Sequence, residues 1–202
     1  MKLTNSLILS GFLFLATSVQ AQQTEAPYSA WSWSGHLDHM NIDKDAAWEQ
    51  GIGDTATAIG FAAERFTNTS DNTISLGMSF IFYNDDDEFA QYVEDYWGDT
   101  DYAESSASAF TIFAEYGPKY QFGADQLSFF TLRGGVAGLL ASERSIGGCS
   151  NCYSEDIDIN GGLYGVLGIG RSSGYLDWSL QFQQYFTGDI DNVLRFKISG
   201  AF

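Results

Sequence analysis

The last eleven residues of the chain alternate between apolar and polar side chains. In NVLRFKISGAF, Leu194, Phe196 and Ile198 have one parity, and Arg195 and Lys197 have the other. Since successive side chains of a β-strand point to opposite faces, this period of two predicts a strand with one apolar and one charged face. The pattern alone does not say which face points into the fold.

The same period recurs along the chain and predicts eight strands. Helical periodicity is limited to a turn or two in the acidic stretch Phe89–Tyr96. The segment 161–170 is apolar on both faces, so the register of its strand stays open. The predicted strands lie near residues 31–41, 55–67, 73–84, 108–122, 127–143, 159–172, 174–187 and 192–202.

The connections between these strands alternate in length. Three are short, at residues 68–72, 123–126 and 173, and those that alternate with them are mostly longer, at 42–54, 85–107 and 144–158, with 188–191 as a short exception. An up-and-down meander with this rhythm has its long loops at one end. With an even number of strands, both termini lie at the other end.

Two barrels fit this alternation. A soluble barrel would turn the apolar faces inward, whereas a membrane barrel turns the polar faces inward. Strands of about 10 residues suit a membrane crossing, and aromatic residues cluster near predicted strand ends, at Trp31, Trp33, Tyr116, Tyr120 and Phe202. The polar faces also mix both charge signs, as expected of groups paired inside a barrel. The predicted interior polar network is Glu64, Glu115, Lys119, Arg133, Asp177, Arg195 and Lys197. We therefore expect an all-β, eight-stranded antiparallel up-and-down transmembrane barrel.

The N-terminal residues predict export. Lys2 precedes the apolar run Leu7–Ala16, and small residues occupy Val19 and Ala21. This order is typical of a secretory signal peptide, and about ten apolar residues are too few for a membrane helix. We expect residues 1–21 to be the signal peptide and residues 22–202 to be one barrel domain.

The charge of the chain is strongly acidic and unevenly placed. Without Lys2, eight basic residues face 26 acidic ones, a formal charge of −18. Such acidity argues against nucleic acid as a partner, because phosphates would be repelled. The four connections at the long-loop end hold 18 of the 26 acidic residues, against the basic residues Lys44 and Arg144.

These features together resemble the small outer-membrane barrels of Gram-negative bacteria, the class that includes OmpX, the membrane domain of OmpA and the Ail/Lom adhesins. The resemblance covers the whole mature chain and is architectural. It implies a location in the outer membrane with both termini in the periplasm, contacts with membrane lipid and lipopolysaccharide, and no cofactor. It also implies that the barrel-assembly machinery reads Phe196, Ile198 and Phe202 as an assembly signal.

The expected function is a structural or surface-interaction role through acidic extracellular loops. Eight strands leave an interior filled by side chains, so a general diffusion pore is not expected. No catalytic residues carry over from the class. Two alternatives stay open: a narrow channel or small-ligand barrel lined by residues such as Glu115 and Arg133, and a lipid A acyltransferase or deacylase. The enzyme would use His39 as a base with a serine such as Ser142.

The acidic loops suggest divalent cations or an extracellular ligand as partners. Asp85, Asp86, Asp87 and Glu88 are candidate ligands for Ca²⁺ or Mg²⁺, since hard cations take oxygen ligands. The run lacks the spacing and glycine of an EF-hand loop. A solvated acidic surface is therefore the favoured interpretation.

The chain has one pair of cysteines, Cys149 and Cys152. Two thiolates with no nearby histidine make a poor zinc site. In an exported protein the pair is expected to form a disulfide that shapes the third long loop, rather than a reactive dithiol.

Overall fold

The computed structural model describes residues 31–67, 72–94, 98–147, 152–173 and 176–201. The predicted signal peptide lies outside these residues. Within them, no helix is long and apolar enough to cross a membrane. The elements are β1 (Trp31–Ile42), α1 (Lys44–Glu49), β2 (Ile52–Phe66), β3 (Asn72–Asp85), β4 (Ala90–Glu94), β5 (Thr100–Glu104), β6 (Ser106–Phe122), β7 (Ser128–Ser145), β8 (Ser154–Asp156), β9 (Leu163–Ser173), β10 (Leu176–Tyr185) and β11 (Ile190–Ala201).

Eight of the described strands form one closed antiparallel barrel. Going round it, the order is β1, β2, β3, β6, β7, β9, β10 and β11, and β11 pairs with β1 to close the ring. Neighbours in the ring are also neighbours among the long strands of the sequence. The predicted up-and-down eight-stranded barrel is therefore confirmed.

The connections separate a short-turn end from a long-loop end. β2 and β3, β6 and β7, and β9 and β10 are joined by short turns. At the other end lie loop 1 (residues 43–51, with α1), loop 2 (86–105, with β4 and β5), loop 3 (146–162, with β8) and loop 4 (186–189). The first described strand begins, and the last ends, at the short-turn end.

Secondary structure within loops 1 and 2 differs from the expectation. The turn of helix expected around Phe89–Tyr96 is wrong, because Ala90–Glu94 is strand β4, paired with β5. Helix α1 forms instead in loop 1, where the Asp43 side chain accepts hydrogen bonds from the amides of Asp45 and Ala46 as its N-cap. A hairpin depends on a second strand, which local periodicity in one stretch does not reveal.

The barrel turns its apolar faces outward and its polar faces inward. Phe61, Leu76 and Phe80 are 59%, 52% and 50% exposed, whereas Ser75, Ser79 and other polar residues of alternate parity are buried. On β11 the face with Leu194, Phe196 and Ile198 points outward, and Arg195 and Lys197 are buried. The charged face of the terminal alternation thus points into the fold.

The sequence of β9 left open which of its residues face inward, and packing against the neighbouring strand β7 sets this. Leu167 and Ile169 point outward, whereas Tyr164 and Val166 are buried inside. A Cβ atom on Gly168 would come within 2.5 Å of the Thr131 hydroxyl, and one on Gly170 within 2.4 Å of the Phe129 ring. Glycine occupies these inward positions because side chains of β7 already fill the space beside them.

The long-loop half of the interior is apolar. We call the cluster of buried apolar side chains in this half the apolar layer. α1 contributes Ala47 to it, and loop 3 contributes Ile157 and Ile159. The strand predicted from residue 159 begins only at Leu163, so Ile159 belongs to loop 3. Loop 3 therefore folds into the mouth of the barrel. The layer comprises Met40, Ile42, Ala47, Ile52, Ala56, Ala58, Ile81, Tyr83, Ala107, Ala109, Ile157, Ile159, Ile190 and Val193.

Candidate functional site: the ion-paired interior and the long-loop end

The middle of the barrel holds a buried cluster of six charged side chains. Three acidic and three basic residues balance one another, and they come from strands β1, β2, β6, β7 and β11. Because unpaired charges are costly in a low-dielectric interior, their mutual pairing is what makes their burial possible. We call this set the ionic cluster; it comprises Asp38, Glu64, Glu115, Arg133, Arg195 and Lys197.

Glu115 lies at the centre of the ionic cluster. Its carboxylate accepts hydrogen bonds from Arg195 Nη1 at 3.1 Å, from Arg133 Nη1 at 3.3 Å and from the Tyr164 hydroxyl at 3.1 Å. Arg133 bridges onward to Glu64, whose Oε1 lies 2.6 Å from Arg133 Nη1. Glu115 therefore links strands β6, β7, β9 and β11 through one side chain.

Two further contacts complete the ionic cluster. Arg195 binds Asp38 with two parallel hydrogen bonds, of 2.8 Å from Nε and 2.9 Å from Nη2, the geometry in which a guanidinium matches a carboxylate. The Lys197 ammonium donates to Glu64. Arg195 also lies over the ring of Phe113, 4.7 Å from its centroid.

A separate ion pair lies nearer the short-turn end. Lys119 donates to Asp177 across the barrel, and its ammonium sits 4.0 Å from the centroid of the Phe129 ring. This pair is less buried than the ionic cluster, with the Asp177 side chain 28% exposed. The structure thus places all seven residues of the predicted interior network on the inner face, but divides them between two sites.

Three interior partners were missed by the sequence reasoning. Asp38 and His36 lie on the inward parity of β1, opposite the outward Leu37, so the alternation of β1 carried the signal. His36 is buried, and its Nε2 lies 2.9 Å from the Ser79 hydroxyl. Tyr164 was missed because β9 is apolar on both faces, so its sequence does not show which residues face inward.

The structure does not bring the alternative enzyme residues together. His39 points outward from β1 and is exposed. Ser142 is half-buried on β7, where its hydroxyl donates to the Tyr83 hydroxyl at 3.4 Å. The two side chains therefore lie on different faces of strands that are not neighbours in the ring, and the lipid A enzyme stays an untested alternative.

Arg144 ties three loops together at the mouth of the barrel. Its side chain is 3% exposed, and Nε donates to Asp85 at 2.6 Å, at the base of loop 2. Nη1 donates to Glu155 of loop 3 at 3.2 Å, and Nη2 donates to the carbonyls of Gln50 and Gly51 in loop 1, at 3.1 and 2.8 Å. One arginine thus neutralises part of the acidic surface and holds the loops over the apolar layer.

The four candidate metal ligands have separate environments. Asp85 pairs with Arg144, the Asp86 carboxylate accepts from the Asn84 amide at 3.4 Å, and the Asp87 side chain packs against Gly51. Glu88 is fully exposed and has a raised pKa, chiefly because the Glu104 carboxylate is near it. Among the described residues, no group of three or more His, Cys, Asp or Glu side chains could hold a metal ion.

Two predicted features lie partly outside the described residues. Cys149 is outside them, so the disulfide with Cys152 stays a prediction. Phe202 is also outside them, while Phe196 and Ile198 share the outward face of β11 expected of an assembly signal.

Comparison with known proteins supports the fold and gives no family. No protein-family profile matches the chain, and no curated protein sequence matches it. The structure is similar to the crystal structure of Neisserial surface protein A, with a TM-score of 0.50, 10% sequence identity and coverage of 85% of this chain and 96% of that chain. At this identity the similarity shows a shared fold: this chain has the closed eight-stranded antiparallel barrel of the small outer-membrane barrels.

Proposed function

We propose that this chain is an outer-membrane barrel that presents loops 1 to 4 outside the cell as a structural or interaction surface, and that it is not a general diffusion pore. The observation that carries the proposal is the inverted distribution of side chains. Apolar residues form the exposed outer surface of every barrel strand, while six charged residues are buried within. A soluble protein would have to leave this large apolar surface in water.

Aromatic residues at the short-turn end support a membrane location. Trp31, Trp33 and Tyr116 are 43%, 58% and 52% exposed on the outer face, and Tyr120 stacks on Phe130 with 4.8 Å between ring centroids. Rings with one apolar and one polar side favour the membrane–water interface, where barrels carry an aromatic girdle. The apolar outer surface between these aromatic residues and the long-loop end would contact membrane lipid and lipopolysaccharide.

The packed interior supports the part of the proposal that excludes a diffusion pore. The ionic cluster fills the middle of the barrel, and the apolar layer with loop 3 fills the long-loop half. A cavity of about 20 Å³ lies between the two, lined by Asp38, Arg195 and Tyr164 among others. This volume has room for about one water molecule.

The long-loop end is proposed as the outer face because outer-membrane barrels place their longer loops outside the cell and their termini in the periplasm. The loops are acidic and are joined by Arg144 and by hydrogen bonds between loops, such as that from the Asp158 amide to the Gln50 side chain at 2.8 Å. An ordered surface of this kind suits a binding role, because less conformational entropy is lost when a partner binds.

Electrophoresis and cysteine labelling test the proposal. Outer-membrane fractions run in SDS with and without boiling should show a heat-dependent shift of a folded barrel. In a background with both native cysteines replaced by serine, Trp48→Cys in α1 should react with a membrane-impermeant maleimide in intact cells. The matched variant Ala124→Cys, in the turn between β6 and β7, should react only after the outer membrane is broken. A soluble periplasmic band with no shift, or the reverse labelling, would overturn the proposal.

A further inference from the structure

Loop 2 carries a hairpin that forms a sheet of its own. β4 and β5 pair antiparallel with Tyr92 opposite Tyr102, and within the described part of the chain they form a sheet separate from the barrel strands. At the base of the hairpin the Ser105 amide donates to the Phe89 carbonyl at 2.9 Å, and the Phe89 amide donates to the Ser105 hydroxyl at 3.0 Å. The two faces of the hairpin are therefore separate from the inner and outer faces of the barrel.

One face of the hairpin presents two aromatic rings to solvent. Tyr92 and Tyr102 are 74% and 57% exposed, whereas Val93, on the opposite face, is 7% exposed. The rings meet edge to face with 5.5 Å between their centroids. Cross-strand aromatic contact holds the pair in place, and rigid tyrosines of this kind are frequent anchors in binding surfaces.

Carboxylates lie on both sides of the tyrosine pair. Side chains directly opposite in an antiparallel pair share a face, so Glu104, opposite Ala90, and Glu94, opposite Thr100, are on the tyrosine side. They occupy the rows before and after the tyrosines, about 13 Å apart along the strands. That separation is far too large for one metal ion, whose ligands lie about 2.5 Å from it.

The stretch of sequence that contains this face carries negative but no positive charges. The chain has no lysine or arginine between Arg65 and Lys119. The exposed Glu88 has a raised pKa, chiefly because of the nearby Glu104 carboxylate, with further contributions from slight desolvation and from Asp85. A bound positive charge would relieve this repulsion.

We propose that the tyrosine face, defined as Tyr92, Tyr102, Glu94 and Glu104, binds an extended cationic segment of a partner protein. Basic residues four positions apart in an extended chain are also separated by about 13 Å, so they can reach Glu94 and Glu104 together. The segment between them lies across the tyrosine rings, whose faces attract lysine and arginine. The inference rests on the proposed function, because it needs loop 2 outside the cell.

The test measures peptide binding by the refolded full-length barrel in zwitterionic micelles. The probe is a fluorescent extended peptide with two arginines four residues apart, and its isomer has the same two arginines adjacent. We expect the spaced peptide to bind about tenfold more tightly than the isomer, and Tyr92→Ala with Tyr102→Ala to weaken binding about tenfold. Glu104→Gln should weaken binding and reduce its dependence on salt.

Matched variants separate this face from general acidity. Trp48→Ala removes an even more exposed aromatic ring from loop 1, and Glu49→Gln removes one exposed carboxylate there. Neither should change the affinity, and the heat-dependent gel shift checks that every variant is folded. Equal binding of both peptides, equal loss in the loop 1 variants, or competition by Ca²⁺ alone would overturn the inference.

The two proposals can fail separately. Peptide binding to the purified barrel does not depend on its location in the cell. Labelled loops on intact cells with no peptide binding would overturn the tyrosine face and leave the outer-membrane proposal standing. Binding by a barrel whose loops are never labelled in intact cells would overturn the location instead.

Discussion

The two halves of the barrel interior are stabilised by different forces. Around Glu115, six buried charges satisfy one another through oriented hydrogen bonds. Towards the long loops, the apolar layer joins the barrel wall to α1 and loop 3 by non-directional packing. The difference teaches that a barrel with an apolar exterior can fill its centre with polar groups and still close its mouth with an ordinary hydrophobic core.

Because of this difference, the two halves of the interior should tolerate amino-acid substitutions differently. An ion-paired cluster fails when one partner is removed, because the remaining charges are left buried and unpaired. An apolar layer loses stability in proportion to the contacts and volume removed. Mutations in the two halves should therefore differ in how much they lower the free energy of unfolding and in which part of the structure they loosen.

The largest effect is expected at the centre of the ionic cluster. Glu115→Gln keeps the volume but leaves Arg133 and Arg195 without a full counter-charge, so it should lower the free energy of unfolding by about 3 kcal/mol or more. Urea unfolding of the refolded barrel, followed by tryptophan fluorescence and by the gel shift, measures this. Asp177→Asn, at the more exposed pair with Lys119, is the matched control and should cost about 1 kcal/mol or less. Equal losses for the two variants would contradict the distinction.

A smaller and more local effect is expected in the apolar layer. Ile157→Ala removes a buried side chain that loop 3 inserts into the mouth, and it should cost about 2 kcal/mol. The barrel should stay heat-modifiable while loop 3 becomes more sensitive to protease. Leu140→Ala, at an exposed outward position of β7, is the control and should leave the protease sensitivity of loop 3 unchanged. A loss of the whole barrel with Ile157→Ala would show that the two halves do not respond separately.

Arg144 lies above both regions and should affect the loops more than the barrel. Arg144→Gln breaks the contacts to Asp85 and Glu155, and it should cost about 1–3 kcal/mol. Hydrogen exchange should then rise in loops 1, 2 and 3 together, because one side chain joins them. Lys44→Gln, at a basic residue whose side chain is 83% exposed, should leave exchange unchanged. Faster exchange in only one loop would contradict the joint role.

The smallest effect concerns the neighbouring carboxylates Glu88 and Glu104 of loop 2. The pKa of Glu88 is raised chiefly by Glu104, so the folded protein holds this proton more tightly than the unfolded chain does. The repulsion is therefore present at neutral pH and relaxes as the pH falls through the raised pKa. Carbon-13 titration of the Glu88 carboxyl should show its pKa falling in Glu104→Gln and unchanged in Glu49→Gln. An unchanged Glu88 titration in both variants would place the cause elsewhere.

Some interior residues were readable from the sequence and others were not. Arg195 and Lys197 could be placed inside because their strand alternates clearly. Asp38 had the same signal on β1, where it lies between the outward Leu37 and His39. Tyr164 had no such signal, because β9 is apolar on both sides and only the packing of Gly168 and Gly170 against β7 orients it.

The sequence by itself determined the eight-stranded alternation, the unequal loops and most of the charged residues on the inner parity. These follow from the geometry of one strand at a time, in which side chains alternate whatever the partner is. Only the tertiary structure decided that Glu115 joins Arg133 and Arg195, that Arg144 gathers three loops, and that β4 pairs with β5. Those contacts join residues far apart in sequence, and they depend on which strands and loops become neighbours when the sheet closes.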